Sequence, residues 1–185
     1  LVATTIRMRL STTDSSGVEG DAWDSGDLPV SQAYLQAVFL LDVPVSGRYL
    51  RFDLVNNDGD FVEAGRLVAG VRSTFGYNFA YGASLGYVDP SSRAVTPGGQ
   101  TQIGRKPSKR LLDVTFEWVS SADRYGFIET MDRVNGAKTD VLFVTDPSSA
   151  DLARDTIWGL VADMTPVTQP FFDIFTKQYR IEERR

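Results

Sequence analysis

Glu63 is the carboxylate best placed to do chemistry. It sits in Phe61-Val62-Glu63-Ala64-Gly65-Arg66-Leu67, among apolar and small neighbours. On a strand covered on both faces it must be paired, because a buried charge left without its partner costs about 3–5 kcal/mol. Arg51, on the preceding strand, and Arg66, three residues on, are the candidate partners. The chemical alternative is a general acid or a ligand for a sugar hydroxyl. Glycoside hydrolysis needs a second carboxylate across the scissile bond, and the sequence identifies none. A structural ion pair among Arg51, Glu63 and Arg66 is therefore expected.

Aromatic and basic residues offer binding instead of catalysis. Phe75, Tyr77, Phe79 and Tyr81 recur at the period of a strand and would share one face. Such a stripe either stacks on sugar rings or fills a core or a subunit interface, where tyrosine joins an apolar body to a polar tip. Tyr77, Tyr81 and Tyr87 are the candidate interface or glycan contacts. Trp118 and Trp158 lie in apolar strands and are expected in the core. Arg105, Lys106, Lys109 and Arg110 form the one basic cluster, and Arg105 and Lys106 join the candidate interface residues. In an acidic chain these cations suit an acidic neighbouring subunit, or they are a solvated loop. The cluster is short and has no interleaved aromatics, which argues against nucleic acid.

Several chemistries are excluded outright. The 185 residues contain no cysteine and no histidine. That removes disulfides, thiolate nucleophiles, Ser-His-Asp triads and histidine-based zinc sites. No phosphate-binding glycine loop and no Gly-x-Ser-x-Gly elbow occurs. The loop Asn56-Asn57-Asp58-Gly59-Asp60 is rich in oxygen ligands, but EF-hand spacing would put Leu54 at the first ligand position. It is read as a hairpin turn, and neither metal nor cofactor is expected. The net charge of −5 gives no general attraction to nucleic acid or to an anionic membrane. No apolar run reaches the roughly 20 residues of a membrane span. The chain begins at Leu1 without an initiator methionine, so residues before it are expected.

The elements that would position these residues are mostly strands. Ile6, Met8 and Leu10 alternate with Arg7 and Arg9; Leu50, Phe52 and Leu54 alternate with Tyr49, Arg51 and Asp53. Residues 61–69 are expected to return as the hairpin partner of 48–55. Residues 34–43 read as a buried strand or a helix, 93–110 as an exposed loop or hairpin arm, and 111–119 as a strand with Leu112, Val114, Phe116 and Trp118 on one face. One helix is expected, capped by Ser120 or Ser121, with Phe127, Ile128, Met131 and Val134 as its apolar stripe and Asn135-Gly136 as its stop. Strands follow at 140–145, 157–164 and 171–183, and Glu182-Glu183-Arg184-Arg185 reads as a solvated tail. The fold class is mainly β: a single antiparallel sandwich or jelly-roll domain over residues 1–185 with one covering helix.

A resemblance enters on particular segments. Arg48-Tyr49-Leu50-Arg51-Phe52-Asp53-Leu54, then Asp58-Gly59, then Phe61-Val62-Glu63-Ala64-Gly65-Arg66-Leu67 resembles a motif of tail structural proteins of tailed bacteriophages. Ile6-Arg7-Met8-Arg9-Leu10-Ser11 and Trp23-Asp24-Ser25-Gly26 are similar to that family's Arg-x-Arg-Leu-Ser and Tyr-Asp-Ser-Gly segments, with Trp23 in the tyrosine's place. The family's proline before Asp-Gly is Asn57 here. The resemblance covers the first seventy residues. It implies a galactose-binding-like β-sandwich and a non-enzymatic virion component of the tail tip or baseplate, assembled in the host cytoplasm. Its partners would be other tail proteins and further copies of itself. The same fold carries carbohydrate-binding modules, so binding of a host-surface glycan is the alternative.

Overall fold

The computed structural model describes residues 5–56 and 61–184. The fold is mainly β, with antiparallel sheets and helical structure concentrated in one segment, consistent with a β-sandwich. The chain divides into two compact units, one within Leu1–Arg72 and Val144–Thr156, the other within Ser73–Phe143 and Ile157–Arg185.

The first unit is organised by β1 (Thr5–Ser11), with β2 (Trp23–Asp24), β3 (Leu28–Pro29) and β4 (Tyr49–Val55) around it. β4 pairs antiparallel along the whole of β1, setting Ile6 opposite Leu54, Met8 opposite Phe52 and Leu10 opposite Leu50. Residues directly opposite share a face, so both alternations combine into one apolar face and one charged face. β2 and β3 divide the other edge of β1.

Two expectations fail in this unit. Residues 61–69 do not return as the partner of β4; they are irregular and mostly exposed. The apolar side chains of β1 match those of β4 residue for residue, whereas 61–69 lacks a period of two and carries small residues. The turn residues 57–60 lie outside the described residues. Residues 34–43 form neither strand nor helix. A short bridge between Ser31 and Gln36 encloses Leu35 at φ 56°, a conformation that interrupts both.

In the second unit the strand order is β5 (Ser84–Val88), β8 (Lys109–Val119), β12 (Ile174–Glu183), β10 (Thr156–Met164), β9 (Val141–Val144), with β11 (Thr168–Phe171) also on β12. β6 (Ser92–Val95) and β7 (Thr101–Gly104) form a separate, fully exposed hairpin. The core is a period-two product: Leu112, Val114 and Phe116 of β8 meet Phe175, Tyr179 and Ile181 of β12, with Ile157 and Val161 from β10. Trp118 does not join it. Val119 faces Phe175 while Phe116 faces Lys177, so β8 carries one extra residue at that point. This bulge turns Trp118 outward, 55% exposed, and buries Val119 in its place.

The helix lies where its caps put it. Ser120 Oγ accepts from the Asp123 amide at 3.1 Å, and Gly136 ends the segment at φ 52°. Between them α1 (Ser121–Asp123) runs into π-helical turns at Arg124–Ile128 and Met131–Asn135. Ile128 is buried, and Phe127 and Met131 pack on the core. Val134 is 59% exposed, because the wider π turns rotate it off the apolar stripe. A separate single turn, α2 (Leu152–Asp155), belongs to the first unit.

Candidate functional site

Three of the segments that carry the resemblance, 6–11, 23–26 and 48–54, come together on the charged face of β1 and β4, and 61–67 does not join them. Arg7 grips Asp24 at two points, Nε to Oδ1 at 2.8 Å and Nη2 to Oδ2 at 2.5 Å. Arg9 bonds to Asp53 through Nη2, and Arg51 Nε donates to the other oxygen of Asp53 at 2.8 Å. The Ser25 hydroxyl accepts from the Met8 amide at 2.9 Å and donates to the Gly26 carbonyl at 2.7 Å, which ties the Asp-Ser-Gly turn to β1. Arg7, helped by the Gly26 amide, holds Asp24 down to about 2. Arg9, then Arg51, hold Asp53 below the usual carboxylate range. The guanidiniums of Arg7, Arg9 and Arg51 are thus engaged by carboxylates, so this network frames the sheet.

The expected ion pair is rearranged. Arg51 meets Asp53 instead of Glu63. Glu63 and Arg66 are exposed on irregular chain, so the burial that would have demanded a partner for Glu63 is absent.

The aromatic stripe separates by chemistry. Residues 75–81 are not a strand. Phe75 and Phe79 turn onto Phe116, with ring centroids 4.0 and 6.3 Å away. Tyr77, Tyr81 and Tyr87 remain exposed. The basic cluster separates as well. Arg105 and Lys106 are exposed at the base of the β6–β7 hairpin. Lys109 pairs with Glu182 at 2.9 Å, and Arg110 is buried against Glu183 at 2.7 Å. Arg184 meets Asp140 at 2.9 Å. The expected solvated tail is therefore pinned through residue 184; Arg185 lies outside the described residues.

Lys177 was not singled out from the sequence. It is 1% exposed, and its Nζ lies 2.6 Å from both Asp132 Oδ2 and the Thr165 carbonyl. Burial, then the charge of Asp132, pushes the neighbouring Tyr179 phenol well above its usual range, so it stays neutral. The available signal was register: Lys177 and Glu183 occupy the same alternate positions as Phe175, Tyr179 and Ile181. Beside this pair, an open groove of about 410 Å³ runs along the helix between Arg124, Glu129, Arg133 and Val167.

Among the described residues no cluster of three metal-ligating side chains occurs, and no helix is long and apolar enough to cross a membrane. The exposed chain includes the apolar stretch 61–71, the three tyrosines and the basic hairpin. No protein-family model matches the sequence, and a search of curated proteins gives no significant match.

Proposed function

We propose that this chain is a structural subunit of a tailed-bacteriophage virion, in the tail tip or baseplate, acting through protein–protein assembly with other tail proteins and copies of itself. The observation that carries the reading is the stretch 61–71. Phe61, Leu67, Val68 and Val71 stand 72%, 47%, 55% and 89% exposed on chain without regular structure. Apolar surface of this kind, beside a folded sheet, is what an assembly interface covers. The resemblance of the first seventy residues to tail structural proteins supports the same reading. Immunogold electron microscopy of particles from a source phage lysate, with antibody raised against the chain, tests it. Gold confined to the distal tail is expected; unlabelled intact particles, with the antigen elsewhere in the lysate, would overturn it.

A second reading rests on a different observation. Tyr77, Tyr81 and Tyr87 are 66%, 108% and 68% exposed, as rings that stack on sugars must be. A stable monomer that binds on a glycan array, and loses binding when these tyrosines become alanine, would favour a carbohydrate-binding module.

A further inference from the structure

The β6–β7 hairpin is a cationic arm. Residues 92–106 carry Arg93, Arg105 and Lys106 and no carboxylate. All three cations are exposed, and among the described residues none forms an ion pair. The hairpin is fixed at its root, where the Lys106 amide donates to Ser91 Oγ at 2.9 Å. It also displays apolar surface, with Val95 71% and Ile103 54% exposed.

The loop 12–21 in the other unit is its counterpart in charge. It carries Asp14, Glu19 and Asp21 and no cation. The two aspartates are held by neutral donors. Asp14 accepts from the Ser16 and Glu19 amides at 2.8 and 3.0 Å, and Asp21 accepts from the Thr12 amide at 3.0 Å. These bonds keep both carboxylates ionised, Asp14 down to about 2, without cancelling their charge. Arg9 and Arg51 touch the carbonyls of Val18 and Ser16, but both guanidiniums turn to Asp53.

We infer that in the assembly the basic β6–β7 arm of one copy docks on the acidic loop 12–21 of a second copy. This rests on the assembly reading and names its contact. The two surfaces differ, so the interface is heterologous: each copy offers an arm to one neighbour and a loop to another. Such a contact builds rings if the rotation closes and filaments if it does not.

Two charge-reversal variants test it by light scattering after size exclusion. One carries Arg93→Glu, Arg105→Glu and Lys106→Glu. The other carries Thr13→Lys, Ser15→Lys and Glu19→Lys, at exposed positions that leave Asp14 and Asp21 in place. Wild type should run above the 20.4 kDa of one chain and fall toward it in about 1 M salt, where the Debye length is about 3 Å. Each variant alone should associate about tenfold more weakly or worse. Mixed, the two should associate again, because the acidic arm of one meets the basic loop of the other. Wild-type mass in either variant alone, or no recovery on mixing, would overturn the docking and leave the assembly reading to the gold-labelling experiment. Wild type that stays a monomer at every concentration would overturn it too. Unchanged thermal unfolding of both variants separates loss of contact from loss of fold.

Discussion

The Glu183 carboxylate closes on Arg110 from three directions. It takes the guanidinium at Nε (2.8 Å) and Nη2 (2.7 Å), and the Arg110 main-chain amide at 2.9 Å. Arg110 is 1% and Glu183 5% exposed, so both ends of the pair are out of water. Neither stands alone electrostatically, and each is costly to leave without the other. Glu183→Gln should destabilise the protein by about 3–5 kcal/mol, because an arginine stays buried without its counter-charge. Arg110→Met combined with Glu183→Leu should cost much less than that single change. Urea unfolding of the three proteins checks this; equal losses in the single and double variants would show that packing, not charge, sets the penalty.

Lys177 and Asp132 should respond asymmetrically. Lys177 is almost inaccessible, while the Asp132 side chain is 24% exposed. Asp132→Ala strands an ammonium in the core with the Thr165 carbonyl and the face of the Tyr179 ring beside it but no counter-charge, at a cost of about 3–5 kcal/mol. Lys177→Met leaves a carboxylate that water can reach and should cost about 1–3 kcal/mol. The order of the two, read from denaturant midpoints, is the test.

How much of this was legible depends on whether the cause was local. The helix was readable because Ser120 and Gly136 act on their own neighbours in sequence. β1 and β4 were readable as strands from their alternation, but their pairing was not. The Asn-Asp-Gly turn chemistry pointed to a local hairpin, whereas the better match to Leu50, Phe52 and Leu54 lay on β1, some forty residues upstream. Glu183 looked like solvated tail because its partner is 73 residues away. Trp118 looked like core because a bulge is a property of two strands, and one strand's sequence does not display it. At the candidate surface, residue types alone point to stacking or interface chemistry. Their separation, with Phe75 and Phe79 inward and Tyr77 and Tyr81 outward, awaited Phe116.

Acid should loosen the first unit. Asp24 and Asp14 are held down to about 2, from an ordinary value of 3.8, and Asp53 is lowered as well. A carboxylate depressed on folding contributes stability that is complete above its unfolded value and lost as pH falls through the folded one. The pH-dependent loss should therefore lie between about 4 and about 2. Asp24→Asn should lower stability at neutral pH and flatten part of this dependence, measured as the denaturant midpoint at a series of pH values.

Gly159 of β10 faces Glu183 of β12 with no room for a side chain. A Cβ placed there would lie 2.1 Å from the Glu182 carbonyl oxygen, which is backbone and cannot rotate away. Gly159→Ala should force these strands apart at a cost of about 1–3 kcal/mol or more. Since Glu182 and Glu183 lie at that point, the same change should raise hydrogen exchange at the C-terminal end of β12 more than at β5. Uniform protection across the sheet would show that the pairing tolerates the methyl group.

Tyr77 and Tyr81 separate the assembly and glycan readings. Both are exposed, so Tyr77→Ala and Tyr81→Ala should leave stability within about 0.5 kcal/mol of wild type. If these rings are covered in the virion, the double variant should fold normally yet incorporate poorly into particles when it replaces the native protein. Truncating buried interface aromatics costs binding even where the free subunit is unaffected. Incorporation at wild-type levels, together with lost binding on a glycan array, would place the tyrosines on the outer surface and favour the carbohydrate reading. Lost incorporation with no glycan binding in the parent protein would favour the buried interface.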